Sequence, residues 1–235
     1  MAKTIQVKIE VPNRLADITL EQYQKYFQIL EGIDKEGDDA ATFINLKALE
    51  IFCGLELKDS YQLPISQFDV VLDKIAGCLN EETPLIKRFW LRGSNGVEVE
   101  FGMNPDLANI SFGEYVDLDT YIGDWKQMNK AMAVLFRPIT AKTKEFYEIE
   151  PYESSAKYAD HMKYMPASVA IGALVFFYRL GTKLSEHMTD SLLDQVSKEQ
   201  GLRVGSKSSD KNGAGTNRFT RWLQETLSSS RKSLS

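Results

Sequence analysis

SFGEYVDLDTYIGDWKQMNKAMAVLFRPI, residues 111–139, contains two amphipathic patterns separated by a short break. Ser111 and Glu114 have the spacing of a helix-opening capping box, in which each side chain binds the backbone N–H of the other residue. Apolar residues then recur at steps of three and four, which predicts one face of a helix. They are Phe112, Tyr115, Val116, Leu118, Tyr121 and Ile122. We expect neighbouring elements to cover this face.

A second helix is predicted immediately afterwards. Gly123 breaks the first pattern, and Asp124 is placed to cap the next helix. The second apolar stripe consists of Trp125, Met128, Ala131, Met132 and Leu135. Pro138 should end this helix, because proline disfavours helical geometry in the residue before it. The stretch contains no group of residues that does chemistry, so it indicates a fold class rather than an activity.

Further helices are expected on both sides of this stretch. One at about 19–32 begins at Thr19, with Gln22 in the capping-box position, and another covers 40–52 and stops at Gly54. Three more are predicted: one capped by Ser66, a short one capped by Ser154, and the longest one, with Pro166 in its first turn.

Strand signals occur at three places. Thr4–Val11 alternates apolar and polar residues, as a half-buried strand does. LIKRFWLRG and VEVEFG flank Asn95-Gly96, a pair that suits a type I′ hairpin turn. A second short hairpin is expected from 136–140 and 146–150. We therefore predict an α+β fold, predominantly helical, with a small antiparallel sheet built from the N-terminal strand and the Pro84–Gly102 hairpin, and with a flexible C-terminal tether.

Charge is unevenly placed along the chain. Residues 201–235 carry seven basic and two acidic side chains, a net charge of +5, while the whole chain has −5, which leaves −10 on residues 1–200. Residues 204–217 are rich in Gly, Ser, Lys and Asn, the composition of a flexible linker. The predicted organisation is a compact, mostly helical domain at 1–200, a flexible linker at 201–217 and a short amphipathic tail segment at 218–235.

The tail segment is the candidate for partner binding. RFTRWLQETL, residues 218–227, places apolar side chains on one side and basic side chains elsewhere. The candidate contact residues are Arg218, Phe219, Arg221, Trp222, Leu223 and Leu227. An amphipathic segment on a tether suits helix-in-groove recognition. The equally weighted alternative is that it packs on its own domain or is disordered.

No residue pattern predicts catalysis, a metal site or a cofactor. Glu98 and Glu100 alternate along a strand opposite basic residues, which is typical of a solvated strand face rather than of an acid–base pair. His161 and His187 each lack a second ligand at helical spacing. The two cysteines have apolar neighbours and fit no zinc or redox spacing, so we interpret them as small buried side chains. We therefore expect a non-enzymatic protein.

The sequence also disfavours membrane and nucleic-acid partners. The apolar run at 167–178 has 12 residues, whereas a transmembrane helix needs about 20. The N-terminal residues lack the apolar region of a signal peptide, which predicts a cytoplasmic location. The basic side chains of the tail form no dense run, so a nucleic-acid footprint is not expected.

Methionines offer one further hypothesis. A flexible groove for an apolar helix is often lined by methionine, because its side chain adapts to different partners. The candidates are Met128, Met132, Met162, Met165 and Met188. For any one of them, packing in the core is the favoured interpretation.

Five segments carry a resemblance to known proteins. They are ITLEQYQKY (18–26), FGEYVDLDTYIGDW (112–125), KAMAVLFRPI (130–139), YEIEPYE (147–153) and MPASVAIGALVFFYRLG (165–181). Together they resemble small proteins encoded in the structural-gene blocks of tailed bacteriophages, and they are most similar to tail assembly chaperone-like proteins. The resemblance covers most of residues 4–185.

The resemblance implies a mostly helical, non-enzymatic assembly factor in the host cytoplasm. Such a factor holds the tape measure protein soluble while the tail tube forms, and a C-terminal extension can recruit tube subunits. The alternative is a permanent virion structural protein of the neck, tail or baseplate, whose tail segment docks on a neighbouring subunit. Either role is compatible with a homo-oligomer.

Deletion of residues 204–235 tests the predicted organisation. We expect the remaining chain to stay folded but to lose partner capture, because the tail segment is predicted to act as a tethered binding element. Thermal melting followed by circular dichroism, together with a pull-down of the partner, measures both properties. Loss of cooperative melting after the deletion would show that the tail belongs to the core.

Overall fold

In the computed structural model of the chain, residues 9–33, 40–93, 96–144 and 146–179 are described. They combine helices with a four-stranded antiparallel sheet, so the predicted α+β class is confirmed. The chain divides into two compact units, Met1–Gly172 and Ala173–Ser235. In the second unit, residues 173–179 are helical. The predicted boundaries at 200 and 217 and the flexible tether lie outside the described residues, so they stay predictions.

The helices of the first unit lie close to where the sequence predicts them. Their bounds are α1 (Leu20–Gly32), α2 (Ala40–Cys53), α3 (Leu57–Ser60), α4 (Ile65–Leu79), α5 (Phe112–Tyr121), α6 (Met128–Leu135) and α7 (Ala156–Met162). Residues 167–172 form the beginning of a further helix, α8. Three short 3-10 turns cover Leu15–Asp17, Leu107–Asn109 and Trp125–Gln127. The helix α3 was not predicted.

Local capping signals account for the correct helix starts. Thr19 N donates to Gln22 Oε1 at 2.9 Å and Gln22 N donates to Thr19 Oγ1 at 3.2 Å, which is the predicted capping box of α1. Ser111 and Glu114 form the same box at the start of α5. Gly54 follows α2 with a φ of +65°, a conformation that glycine adopts without a Cβ penalty.

Three predicted helix ends are wrong by one to three residues. The helix assigned to Ser66 begins at Ile65 with Pro64 as its N-cap, and the one assigned to Ser154 begins at Ala156 with Ser155 as its N-cap. The helix α6 ends at Leu135 rather than next to Pro138, because the chain passes directly into a strand there.

The sheet has the order β1 (Arg88–Arg92), β2 (Glu98–Met103), β3 (Phe136–Lys142) and β4 (Tyr147–Ile149), with all neighbours antiparallel. Both predicted hairpins are therefore confirmed. The β1–β2 connection differs from the predicted two-residue turn. Gly93 N donates to Val97 O at 2.8 Å, so three residues separate this pair, and the last of them, Gly96, has a φ of +78°.

The described end of the predicted N-terminal strand, residues 9–11, is not part of this sheet. The second edge of β2 pairs with β3, where Phe101 lies opposite Pro138 and Met103 lies opposite Phe136. Residues 9–12 form no strand, and residues 4–8 of the predicted strand lie outside the described part of the chain. Ile9 and Val11 pack instead against a helical core, so their alternation reflects contact with helices rather than a sheet.

The core of the first unit joins the helices and the sheet. Its helical part contains Leu15, Ile18, Leu49, Phe52, Ile75 and Ala167. At the sheet, Phe136 packs edge-on against Phe89 with 5.3 Å between ring centroids. Buried amides link the helices: Gln24 Nε2 donates to Trp125 O at 2.6 Å, and Asn129 Nδ2 donates to Ala159 O at 2.9 Å. These bonds satisfy polar groups that would be costly if left unpaired.

Gly172 marks a close approach of α8 to the loop before β1. A Cβ added at this position would lie 2.5 Å from Pro84 O, a backbone atom. We expect Gly172→Ala to lower the free energy of unfolding by about 1–3 kcal/mol, because the helix must move to relieve the clash. Urea unfolding followed by circular dichroism measures the difference.

Gly77→Ala in α4 is the matched control, because nothing lies within 4 Å of the added Cβ. Alanine is the better helix former, so this variant should raise the free energy of unfolding by up to about 1 kcal/mol. Equal effects of the two substitutions would contradict the close approach.

Candidate partner-binding surface

The outward side of α5 exposes a stripe of large apolar side chains. Phe112 is 82% exposed, Tyr115 54% and Val116 42%, and Asp119 is also exposed. In these four residues, here called the α5 stripe, Tyr115 and Val116 each lie three or four positions from both Phe112 and Asp119, so all four share one face of the helix. The expectation that neighbouring elements cover Phe112, Tyr115 and Val116 is wrong, because the inward face is occupied by other residues.

A charged residue holds the inward face of α5. Glu114 is the one residue of this helix that is buried. Its Oε1 accepts from Arg137 Nη1 of β3 at 2.6 Å and from Asn104 Nδ2 at 3.3 Å. Its Oε2 accepts from Ser111 N and from Ser111 Oγ, each at 2.8 Å. The buried carboxylate therefore has partners on both oxygens, as a buried charge requires.

The hydrogen bonds decide the charge state of Glu114. Burial disfavours its ionised form, but the bonds from Ser111 and the charge of Arg137 outweigh this effect and lower the pKa of Glu114 below its usual value of 4.5. The guanidinium of Arg137 also lies 5.4 Å from the centre of the Tyr152 ring. The Tyr152 hydroxyl donates to Asp117, and burial together with this hydrogen bond raises the pKa of Tyr152. The polar groups behind α5 are thus paired with one another.

The segment that carries the α5 stripe is acidic, although Lys130 Nζ lies 5.0 Å from the centre of the Tyr121 ring at the end of α5. Residues 104–124 contain five acidic side chains and no Lys, Arg or His. Glu114 is neutralised by Arg137, whereas Asp119 forms no ion pair with any described residue. Asp119 lies in the last turn of α5, where the helix dipole disfavours a negative charge by roughly 0.3–1 kcal/mol. This aspartate is therefore not explained by the stability of the helix.

Apolar side chains are exposed elsewhere on the described residues too, and two of these places are compared with α5. The first, here called the α3–α4 surface, consists of Leu57, Tyr61, Ile65 and Val70, which are between 51% and 74% exposed. The second is a shallow groove of about 350 Å³ on the sheet, beside the exposed Trp90.

Charge along the groove is largely compensated. Glu100 Oε2 lies 2.8 Å from Lys142 Nζ, and Glu100 Oε1 lies 3.8 Å from Arg88 Nη1. Glu98 is exposed, as predicted for a solvated strand face, whereas the Glu100 side chain is only 14% exposed and lies between these two cations.

The tail residues predicted to bind a partner cannot be compared with this geometry. Arg218, Phe219, Arg221, Trp222, Leu223 and Leu227 all lie outside the described residues. The hypothesis of a methionine-lined groove is wrong for Met128, Met132, Met162 and Met165, because all four are fully buried in the core. Met188 and His187 lie outside the described part of the chain.

Within the described residues, no group of three or more His, Cys, Asp or Glu side chains is placed to hold a metal ion. None of the helices described there combines the length and the apolar character that a membrane-spanning helix needs. Comparison of the chain with protein families, with curated proteins and with solved structures finds no match.

Glu114→Gln tests the ion pair behind α5. A group with a lowered folded pKa stabilises the fold above its unfolded pKa, and this contribution is lost as the pH falls through the folded value. The variant should therefore lose about 3 kcal/mol of unfolding free energy at pH 7, because it leaves Arg137 buried without its partner. The difference from the natural chain should shrink below about pH 4.5. Urea unfolding at pH 7 and at pH 3.5 measures it.

Glu98→Gln on the exposed start of β2 is the matched control and should change stability little at either pH. A Glu114→Gln effect that does not change with pH would contradict the proposed charge state.

Proposed function

We propose that this chain is a non-enzymatic assembly factor of a tailed bacteriophage, a tail assembly chaperone that binds the tape measure protein, tail tube subunits or both. The observation that carries the proposal is the exposed α5 stripe. It lies within FGEYVDLDTYIGDW, residues 112–125, one of the segments that resemble tail assembly chaperone-like proteins. One of the segments that carry the resemblance thus also has uncovered aromatic side chains.

The distribution of polar groups supports a protein-binding role. Buried or half-buried charges pair across elements, as Glu114 does with Arg137 and Glu150 does with Lys157. These pairs hold helices and strands together. The described surface also leaves large apolar side chains uncovered, and patches of this kind mark protein interaction sites.

A holder of an apolar helical protein needs a surface that binds weakly and releases. The α5 stripe covers about 10 Å of helix from Phe112 to Asp119. A contact of this length buries far less than the roughly 1,600 Å² of a standard stable interface. We therefore expect each contact to be transient, which suits a factor that leaves the assembly when the tail tube is complete.

Mass spectrometry of purified virions, with infected-cell lysate as the comparison, tests the role. We expect the chain in the lysate and not in virions of the phage that encodes it. Capture of the tape measure protein by the tagged full-length chain from the same lysate should follow. Its capture should weaken with Phe112→Ser and persist with Ile65→Ser, a comparable loss of exposed apolar surface on α4.

A stoichiometric copy number in virions would overturn the chaperone proposal. The chain would then be a permanent structural subunit of the neck, tail or baseplate. The α5 stripe would in that case be a contact with a neighbouring subunit.

A further inference from the structure

We infer that the α5 stripe is a docking site for a cationic amphipathic helix of a partner protein. Such a helix presents apolar side chains at steps of three and four and carries Lys or Arg beside them. The inference rests on the proposed function only in taking the chain to be a protein-binding factor. It adds the binding surface and the chemistry of the segment that binds there.

The apolar part of the stripe has the composition of a binding hot spot. Aromatic side chains contribute most to protein interfaces because each buries a large area at a low cost in conformational entropy. Phe112 and Tyr115 are one turn apart, and Val116 lies beside both. A second helix packed along α5 would cover all three with one apolar face.

The charge of the surface specifies a cationic partner. Asp119 continues the stripe at its C-terminal end and forms no ion pair with any described residue. Asp117 accepts from the Tyr152 hydroxyl and likewise forms no ion pair with any described residue. A Lys or Arg on the partner would find an unpaired carboxylate at one end of the apolar contact. Complementary charge of this kind favours the correct partner and speeds encounter.

The stripe is also fixed before the partner arrives. The capping box at Ser111 and the Glu114–Arg137 ion pair attach α5 to β3 from behind. The Tyr152–Asp117 hydrogen bond attaches it to the chain that follows β4. A preorganised surface avoids the cost of ordering on binding.

The α3–α4 surface fits this chemistry less well. Its exposed side chains are mainly aliphatic, and Lys74 lies one turn after Val70 on the same helix. Lys58 lies next to Leu57 and pairs with Glu56 at 2.7 Å. Besides these two lysines it carries Glu56, Asp59, Asp69 and Asp73, so it is a mixed-charge surface and serves as a control.

Two synthetic peptides of about 15 residues serve as probes, a length at which an amphipathic sequence can form a helix. Both carry Leu at steps of three and four, and one has Lys where the other has Glu. Binding to the full-length chain is followed by amide chemical shifts at low salt. We expect the Lys peptide to shift the amides of residues 112–119 and to bind at least about fivefold more tightly than the Glu peptide.

Substitutions in the full-length chain separate the two contributions. Phe112→Ser should weaken binding of the Lys peptide by about tenfold, because one aromatic contact is lost. Asp119→Lys should weaken binding of the Lys peptide by about two- to fivefold and strengthen binding of the Glu peptide by a similar factor. Both sites are exposed, so neither variant should disturb the fold, and amide shifts away from α5 check this.

Ile65→Ser and Asp69→Lys make corresponding changes on α4. They should leave the affinities for the Lys peptide and the Glu peptide within twofold of those of the unsubstituted chain. Equal binding of the two peptides would overturn the inference. The inference would also be overturned if the α4 variants weakened peptide binding as much as the α5 variants do. Amide shifts centred on another surface would overturn it too.

Other occupants of the stripe give their own results. Concentration-dependent self-association that Phe112→Ser abolishes would identify a second copy as the occupant and overturn the inference. If Trp222→Ser shifts the amides of residues 112–119 in the absence of any peptide, the chain's own tail is the occupant, and the inference is overturned as well.

If the Lys peptide binds as expected but the chain is found in virions at a stoichiometric copy number, the docking site stands and the chaperone proposal fails. If tape measure capture succeeds and does not depend on Phe112, the function stands and the docking site fails.

Discussion

The ion pair between Glu114 and Arg137 determines how the centre of this chain is arranged. It joins the first turn of α5 to the second residue of β3, with both side chains at least 92% buried. Moving two charges out of water costs several kcal/mol each, and only close geometry with additional hydrogen bonds offsets that cost. Ser111 and Asn104 supply those bonds to Glu114. The orientation of α5 about its axis is therefore set by a charge and its partners rather than by its apolar side chains.

The helices α5 and α6 differ in the kind of side chain that attaches them to the rest of the fold. In α6, seven of the eight residues are buried, and its apolar side chains form part of the core. In α5, Glu114 is the buried residue, and Phe112 and Tyr115 face outward. A helix attached by a polar network can leave its aromatic side chains uncovered without losing its place. The same network that stabilises α5 thus creates the exposed stripe.

Local signals made much of the fold predictable from the sequence. The capping boxes at Thr19 and Ser111, and both hairpins, depend on residues close together in the chain. What the sequence could not supply was pairing at long range. The face that α5 turns inward depends on Arg137, 23 residues after Glu114, and β2 pairs with β3, from which α5 and α6 separate it in the chain. One clue was nevertheless present in the sequence. Glu114, the capping-box residue, lies on the opposite side of the helix from Phe112 and Tyr115, and only one of these two faces can pack against the core.

Two features of the α5 stripe are unfavourable for the isolated chain. Exposed Phe112 and Tyr115 favour association, and Asp119 opposes the helix dipole without an ion pair to any residue that the structure describes. Polar residues in place of Phe112 and Tyr115, or a lysine in place of Asp119, would suit the isolated chain better. Features that oppose the local rules of stability tend to occur where function requires them. Both features lie on one face, and one partner helix with apolar and cationic side chains would satisfy both at once. That coincidence is the physical reason to place partner binding on α5.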